Sequence, residues 1–182
     1  MERPKDISNQ QLGLLGENLV CANLLARGWD VANLNTSFNN FRNIDLVCQN
    51  NNNECVTIQV KTLYNNQSAF IGLTGKEAAE CEDNNKIVSA WVFVKVNSLI
   101  PLNVDYYVLS KSQMTKLTSS LHKWYLYEWN RPATKSLEDS PACIYIKHLQ
   151  GNNQKSRHAD NSFVNPFTST DFLNRWDNIW LP

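Results

Sequence analysis

Asp45 is a lone carboxylate among apolar neighbours in Ile44-Asp45-Leu46-Val47, and Gln59 and Lys61 flank Val60 in Thr57-Ile58-Gln59-Val60-Lys61-Thr62. On a strand, the period of two turns Gln59 and Lys61 to one face and Ile58 and Val60 to the other. If the two segments pair as a hairpin, one carboxylate, one amide oxygen and one ammonium meet on a sheet. Hard oxygen ligands suit Mg²⁺, which accepts one or two protein groups and completes its sphere with water and phosphate oxygens. A lysine beside such an ion can orient or deprotonate a water, or offset negative charge growing on a phosphate. Glu17, the acid in Gly16-Glu17, lies on an otherwise apolar stretch and adds a further ligand if its helix crosses the same sheet.

The elements that must position these side chains are legible in outline. Leu12, Leu15, Leu19, Ala22 and Ala26 repeat at helical steps, which predicts a helix over 9–27, capped by Ser8 or Asn9 and stopped by Gly28. Strands are expected at 29–34, 43–49 and 55–62, the last two joined by the turn Asn50 to Asn53. Residues 63–73 read as a connection, and 74–83 as a short helix with Thr74 as cap and Glu77 at the capping-box position. The run 87–96 is the most apolar in the chain and reads as a buried strand, followed by a strand at 105–109 and a helix at 110–121. A late strand is expected at 142–148. A last helix would be capped by Ser169 or Thr170, with Phe172, Leu173, Trp176, Ile179 and Trp180 on one face. This is a mixed α/β layer arrangement rather than a repeating βαβ unit.

The pattern Gly16-Glu17, Gly28-Trp29, Ile44-Asp45-Leu46 and Ile58-Gln59-Val60-Lys61-Thr62 resembles the PD-(D/E)xK, or restriction-endonuclease-like, nuclease superfamily. It is most similar to the branch of Holliday-junction resolvases and Mrr-type restriction enzymes. The resemblance spans residues 10–96, about half the chain. It implies an αβββαβ core with a mixed central sheet, plus additional C-terminal elements. On this reading residues 1–182 form a single domain, with a nuclease-like core over 10–110 and an extension over 111–182 packed on it. It also implies Mg²⁺- or Mn²⁺-dependent cleavage of DNA phosphodiester bonds. Asp45 would be the metal ligand, Gln59 would stand where most members carry an acid, and Lys61 would be the motif lysine. Glu17 would be the helix-borne acid, with the Val60 carbonyl as a further metal ligand. A neutral amide at 59 is a weaker ligand for a hard cation than a carboxylate, although the Mrr-type branch carries the same Gln-x-Lys form. The alternative is a nuclease-fold module without catalysis that binds nucleic acid or a protein partner. Homodimerisation fits enzymes that cut both strands.

Plainer readings stand beside these. On them Asp45 is an acid making a structural hydrogen bond, Lys61 an edge-strand gatekeeper and Glu17 a solvated helix acid. Net charge is zero and the pI about 6.8, so any DNA contact must come from a local basic patch. Arg42, Lys147, Lys155 and Arg157, with His148 and His158, are the candidates for contact to phosphate. Neither histidine has zinc-ligand spacing, and Gly72, Gly75 and Lys76 are too close together for a phosphate-binding loop. Trp124, Tyr125, Tyr127 and Trp129 read as packing of the C-terminal part, with base stacking or a protein interface as the functional alternative. The five cysteines form no CxxC pair, and no leader-like or bilayer-spanning apolar run is visible. A reduced, cytoplasmic protein is the expectation.

Overall fold

Capping chemistry fixes the start of the first helix. In the computed structural model, which describes residues 7–36, 44–64, 68–129, 137–155 and 162–182, α1 spans Asn9–Leu25. Ser8 Oγ accepts the Gln11 N–H at 3.1 Å, and Gln11 Oε1 accepts the Ser8 N–H at 2.8 Å. This reciprocal box satisfies two donors that the helix leaves open. The helix ends just before Gly28, whose φ of 78° turns the chain into β1 (Asp30–Asn33). A 3₁₀ turn, Leu34–Thr36, follows.

β2 (Leu46–Gln49) and β3 (Cys55–Tyr64) form the expected hairpin, with Asn53 at φ 63° in its turn. β4 (Ser68–Thr74) then leads into two short helices, α2 (Gly75–Ala79) and α3 (Cys81–Asn84). Thr74 and Glu77 make the capping box their spacing predicts. The chain continues through β5 (Ala90–Leu99), β6 (Leu102–Leu109) and α4 (Lys111–Lys123) to a turn of π-helix, Trp124–Glu128. β7 (Pro141–Tyr145) and α5 (Ile146–Leu149) complete the regular elements apart from two C-terminal 3₁₀ turns.

The architecture is mixed α/β. Five strands form one sheet in the order β1-β2-β3-β5-β6, while β4 and β7 form a separate pair. β3 and β5 are parallel and every other neighbouring pair is antiparallel. A parallel pair requires a crossover, and the β4-α2-α3 segment supplies it. Val60, Val92, Val94 and Val108 pack with Val20 and Leu24 of α1 and with Trp176 and Ile179. Leu63, Trp91, Phe93 and Leu109 pack with Met114, Leu117 and Leu121 of α4 and Ile144 of β7. β5 is therefore buried on both sides, as its unbroken apolar run predicts. No helix among the described residues is long and apolar enough to cross a membrane.

Three expectations need correction. The 63–73 stretch is not merely a connection: β4 pairs Ser68 with Tyr145 and Phe70 with Cys143, far along the chain. The late strand stops at Tyr145, where α5 begins. The last helix is two 3₁₀ turns, Ser169–Asp171 and Trp176–Trp180. Its backbone is drawn to β6 instead: Val108 N–H donates to Phe172 O at 2.9 Å and Asn174 N–H to Tyr106 O at 2.8 Å. Asn174, at φ 55°, breaks any helix between them. Phe172, Trp176 and Ile179 are nonetheless buried. Cys48 and Cys81 are buried thiols, whereas Cys55 is exposed, and all five cysteines are free.

Candidate metal centre

Asp45 sits one residue before β2, and its backbone N–H still joins the ladder by donating to Ile58 O at 2.9 Å. Beyond that point its side chain takes over. Asp45 Oδ2 accepts the Val60 N–H at 2.7 Å and the Gln59 Nε2–H at 2.5 Å. The carboxylate thus stands where the next strand carbonyl would be, which answers the problem of a charge next to a strand: it is 8% exposed but well bonded. Gln59 is 6% exposed, and its Oε1 is buried without a hydrogen-bond partner.

α1 brings Glu17 to the same place. A Cβ on Gly16 would collide with Thr62 Oγ1, so glycine is what lets the helix lie this close to β3. Glu17 is half-buried, and its two oxygens are held by two asparagine amides. Asn35 Nδ2 donates to Glu17 Oε1 at 3.1 Å and Asn33 Nδ2 to Glu17 Oε2 at 3.4 Å. Asn35 Nδ2 also donates to Asp45 Oδ1 at 2.8 Å, bridging the two carboxylates. Burial, and then the Asp45 charge, push the Glu17 carboxyl above its ordinary range, while the amides and Lys61 pull it back.

Glu17, Asp45, Gln59, Val60 and Lys61 line one cleft of about 380 Å³, with Ser68 and Ala69 of β4 also in its lining. Lys61 is half-buried and makes no ion pair among the described residues. Its ammonium remains available to a water or a phosphate oxygen. Among the described residues no three His, Cys, Asp or Glu side chains gather as a metal cluster. The cleft offers two carboxylates, completed by the Gln59 amide oxygen and the Val60 carbonyl. This all-oxygen set suits a hard divalent cation, and Gln59 Oε1, unpartnered where it now lies, is the acceptor that the amide would bring to such an ion. The amide nitrogen now faces Asp45, so ligation by Oε1 requires the amide to turn over.

The sequence-derived residues divide cleanly. Asp45, Gln59, Val60, Lys61 and Glu17 come together. Lys147 and Lys155 are exposed but are not part of this cleft, and Arg42, Arg157 and His158 lie outside the described residues. His148 is fully buried with its Nε2 2.9 Å from Gln154 Oε1, so it is not a surface contact for phosphate. Asn33 and Asn35 were missed. Their i, i+2 spacing at the end of β1 was the available signal, hidden by the abundance of asparagine elsewhere.

No known protein family, curated protein or solved structure matches the chain.

Proposed function

We propose that this chain is a Mg²⁺- or Mn²⁺-dependent endodeoxyribonuclease of the PD-(D/E)xK type. The observation that carries the reading is the convergence of Asp45, Gln59, Lys61 and Glu17, from two strands and a helix, on one cleft. The order α1-β1-β2-β3, a helical crossover and then parallel β5 supports an αβββαβ core of the restriction-endonuclease-like kind.

Asp45, Glu17, Gln59 Oε1 and the Val60 carbonyl would hold the cation. When bound, it supplies Lewis-acid stabilisation of charge on the phosphate. Asn35 and Asn33 fix the direction of both carboxylates. Lys61 would orient the attacking water and offset negative charge as the new P–O bond forms and the bond to the 3′ oxygen breaks, with the water's proton passing to solvent and the 3′ oxygen taking one up from it.

A second reading, a nuclease-fold binding module without catalysis, is favoured by one observation: Gln59 presents nitrogen rather than oxygen to Asp45. One experiment separates the two. Plasmid and branched DNA are incubated with Mg²⁺ or Mn²⁺ and the wild type, Asp45→Ala or Lys61→Ala. The nuclease reading expects cleavage by the wild type and its loss in both variants. Cleavage retained in both removes these residues from the mechanism, and none by the wild type favours the binding module.

A further inference from the structure

A second cavity, also about 380 Å³, shares no lining residue with the cation cleft. Tyr125 on the π-helical turn, Cys143 and Tyr145 on β7, and Gln154 beyond α5 contribute to its walls. Turns of π-helix are rare and recur at functional sites. β4 links the two cavities: Ser68 lines the cleft and pairs with Tyr145, which lines this one.

Two polar groups on its wall have settled roles. The Tyr145 N–H donates to His148 Nδ1 at 3.3 Å, which leaves the imidazole proton on Nε2. That Nε2 and the Tyr125 hydroxyl, at 2.9 and 3.0 Å, both meet Gln154 Oε1. With its oxygen engaged twice, the Gln154 amide has one orientation. Its Nε2 is left as a donor without a partner among the described residues. His122 lies behind the same wall. Its ring hydrogen-bonds the Cys143 carbonyl, and its Nε2 is buried with no partner. Burial pushes its pKa down to about 4, so the ring is neutral and that nitrogen is an acceptor at physiological pH. Tyr125, Trp129 and Tyr145 supply aromatic wall, and Lys147 Nζ stands 5.3 Å from the centre of the Tyr145 ring.

We infer that this cavity binds the base of a nucleotide, with the free Gln154 amide donor meeting its edge, aromatic rings against its face and Lys147 on its phosphate. Every nucleobase carries an acceptor beside a donor on its edge, and aromatic walls with a polar edge reader are how proteins hold a base outside a stack. A free nucleotide and a base turned out of a DNA strand offer the same chemistry. The inference stands whether or not the cleft hydrolyses DNA.

Calorimetry in EDTA tests it with the cation site disabled. The ligands are dAMP, deoxyribose 5-phosphate, a short single-stranded oligonucleotide and its counterpart with one abasic position. Saturable dAMP binding is expected, without binding of the base-free sugar phosphate. Gln154→Glu keeps two acceptor contacts but exchanges the donor for an acceptor, and should weaken dAMP tenfold or more. Lys147→Ala, at an exposed position, keeps the fold and should weaken dAMP but leave deoxyadenosine, titrated as a fifth ligand, unchanged. An oligonucleotide that binds more tightly than dAMP, and loses that advantage when abasic, supports a strand-borne base; dAMP binding as tightly supports a free nucleotide. No saturable binding by dAMP or the oligonucleotide, or binding unchanged in both variants, overturns the inference.

Discussion

Replacing Gln59 by glutamate inverts the electrostatics of the cleft at its most buried contact. In the wild type, the Gln59 amide donates to Asp45 Oδ2 at 2.5 Å, and both side chains are nearly excluded from solvent. Gln59→Glu removes a charge-assisted hydrogen bond, about 1.5–3 kcal/mol. It also sets two carboxylates about 4 Å apart, which repel by about 4 kcal/mol at an effective dielectric near 20. The protein can escape the full cost by taking up one proton between the pair. At pH 7 that proton costs a glutamate of ordinary pKa about 3.7 kcal/mol, and at pH 5 about 1 kcal/mol. A protonated glutamate donates to Asp45 much as the amide does. The expected loss of stability in EDTA is therefore about 3–4 kcal/mol at pH 7, shrinking to about 1 kcal/mol at pH 5. Saturating Mn²⁺ should reverse the order, because a second carboxylate binds a hard cation better than an amide. Urea unfolding with EDTA and with Mn²⁺, at both pH values, reads all of this. Wild-type stability of Gln59→Glu in EDTA at pH 7, or no rescue by Mn²⁺, would refute the reasoning.

Three further outcomes follow from the same geometry. Gly16→Ala should destabilise by about 1–2 kcal/mol, the overpacking against Thr62 exceeding the gain in helix propensity; Thr62→Ala in that background should restore stability in urea melts, and a neutral Gly16→Ala would mean the helix does not press on β3. Glu17→Gln should stabilise the metal-free protein, on the order of 0.5 kcal/mol after solvent screening, because burial and Asp45 both disfavour the charged acid. The same change should weaken Mn²⁺ binding in calorimetry, and unchanged affinity would remove Glu17 from the ligand set. His122 and His148 both have pKa values lowered from 6.5 to about 4 by burial. The unfolded chain therefore takes up protons first, and the stability present above pH 6.5 is lost as pH falls towards 4, by up to about 3 kcal/mol for each ring. A urea midpoint that stays level from pH 7 to 4.5 would contradict this.

What could be read in advance was local. The Ser8 cap, the Leu12 to Ala26 periodicity and the Asn50 to Asn53 turn each depend on residues a few positions apart, and α1 and the β2–β3 hairpin match them. Asp45, Gln59 and Lys61 were legible because polar groups in apolar strand segments demand an explanation. What was hidden depends on distant partners. β4 exists because Ser68 to Thr74 finds Tyr145 to Pro141, and no local pattern announces that pairing. The Phe172 to Trp180 stretch has helical spacing, but its backbone bonds go to β6. Asn35 was invisible because its role lies in bridging Glu17 and Asp45, which are brought together only by the fold.

The central claim is that a divalent cation binds among Asp45, Gln59 and Glu17 beside Lys61. Crystals soaked in Mn²⁺ measure this directly through the metal's anomalous scattering. A single strong peak is expected at about 2 Å from oxygens of Asp45 and Gln59, with the Gln59 amide turned so that Oε1 faces the metal. A cleft without such a peak, its Gln59 nitrogen still resting on Asp45, would contradict it.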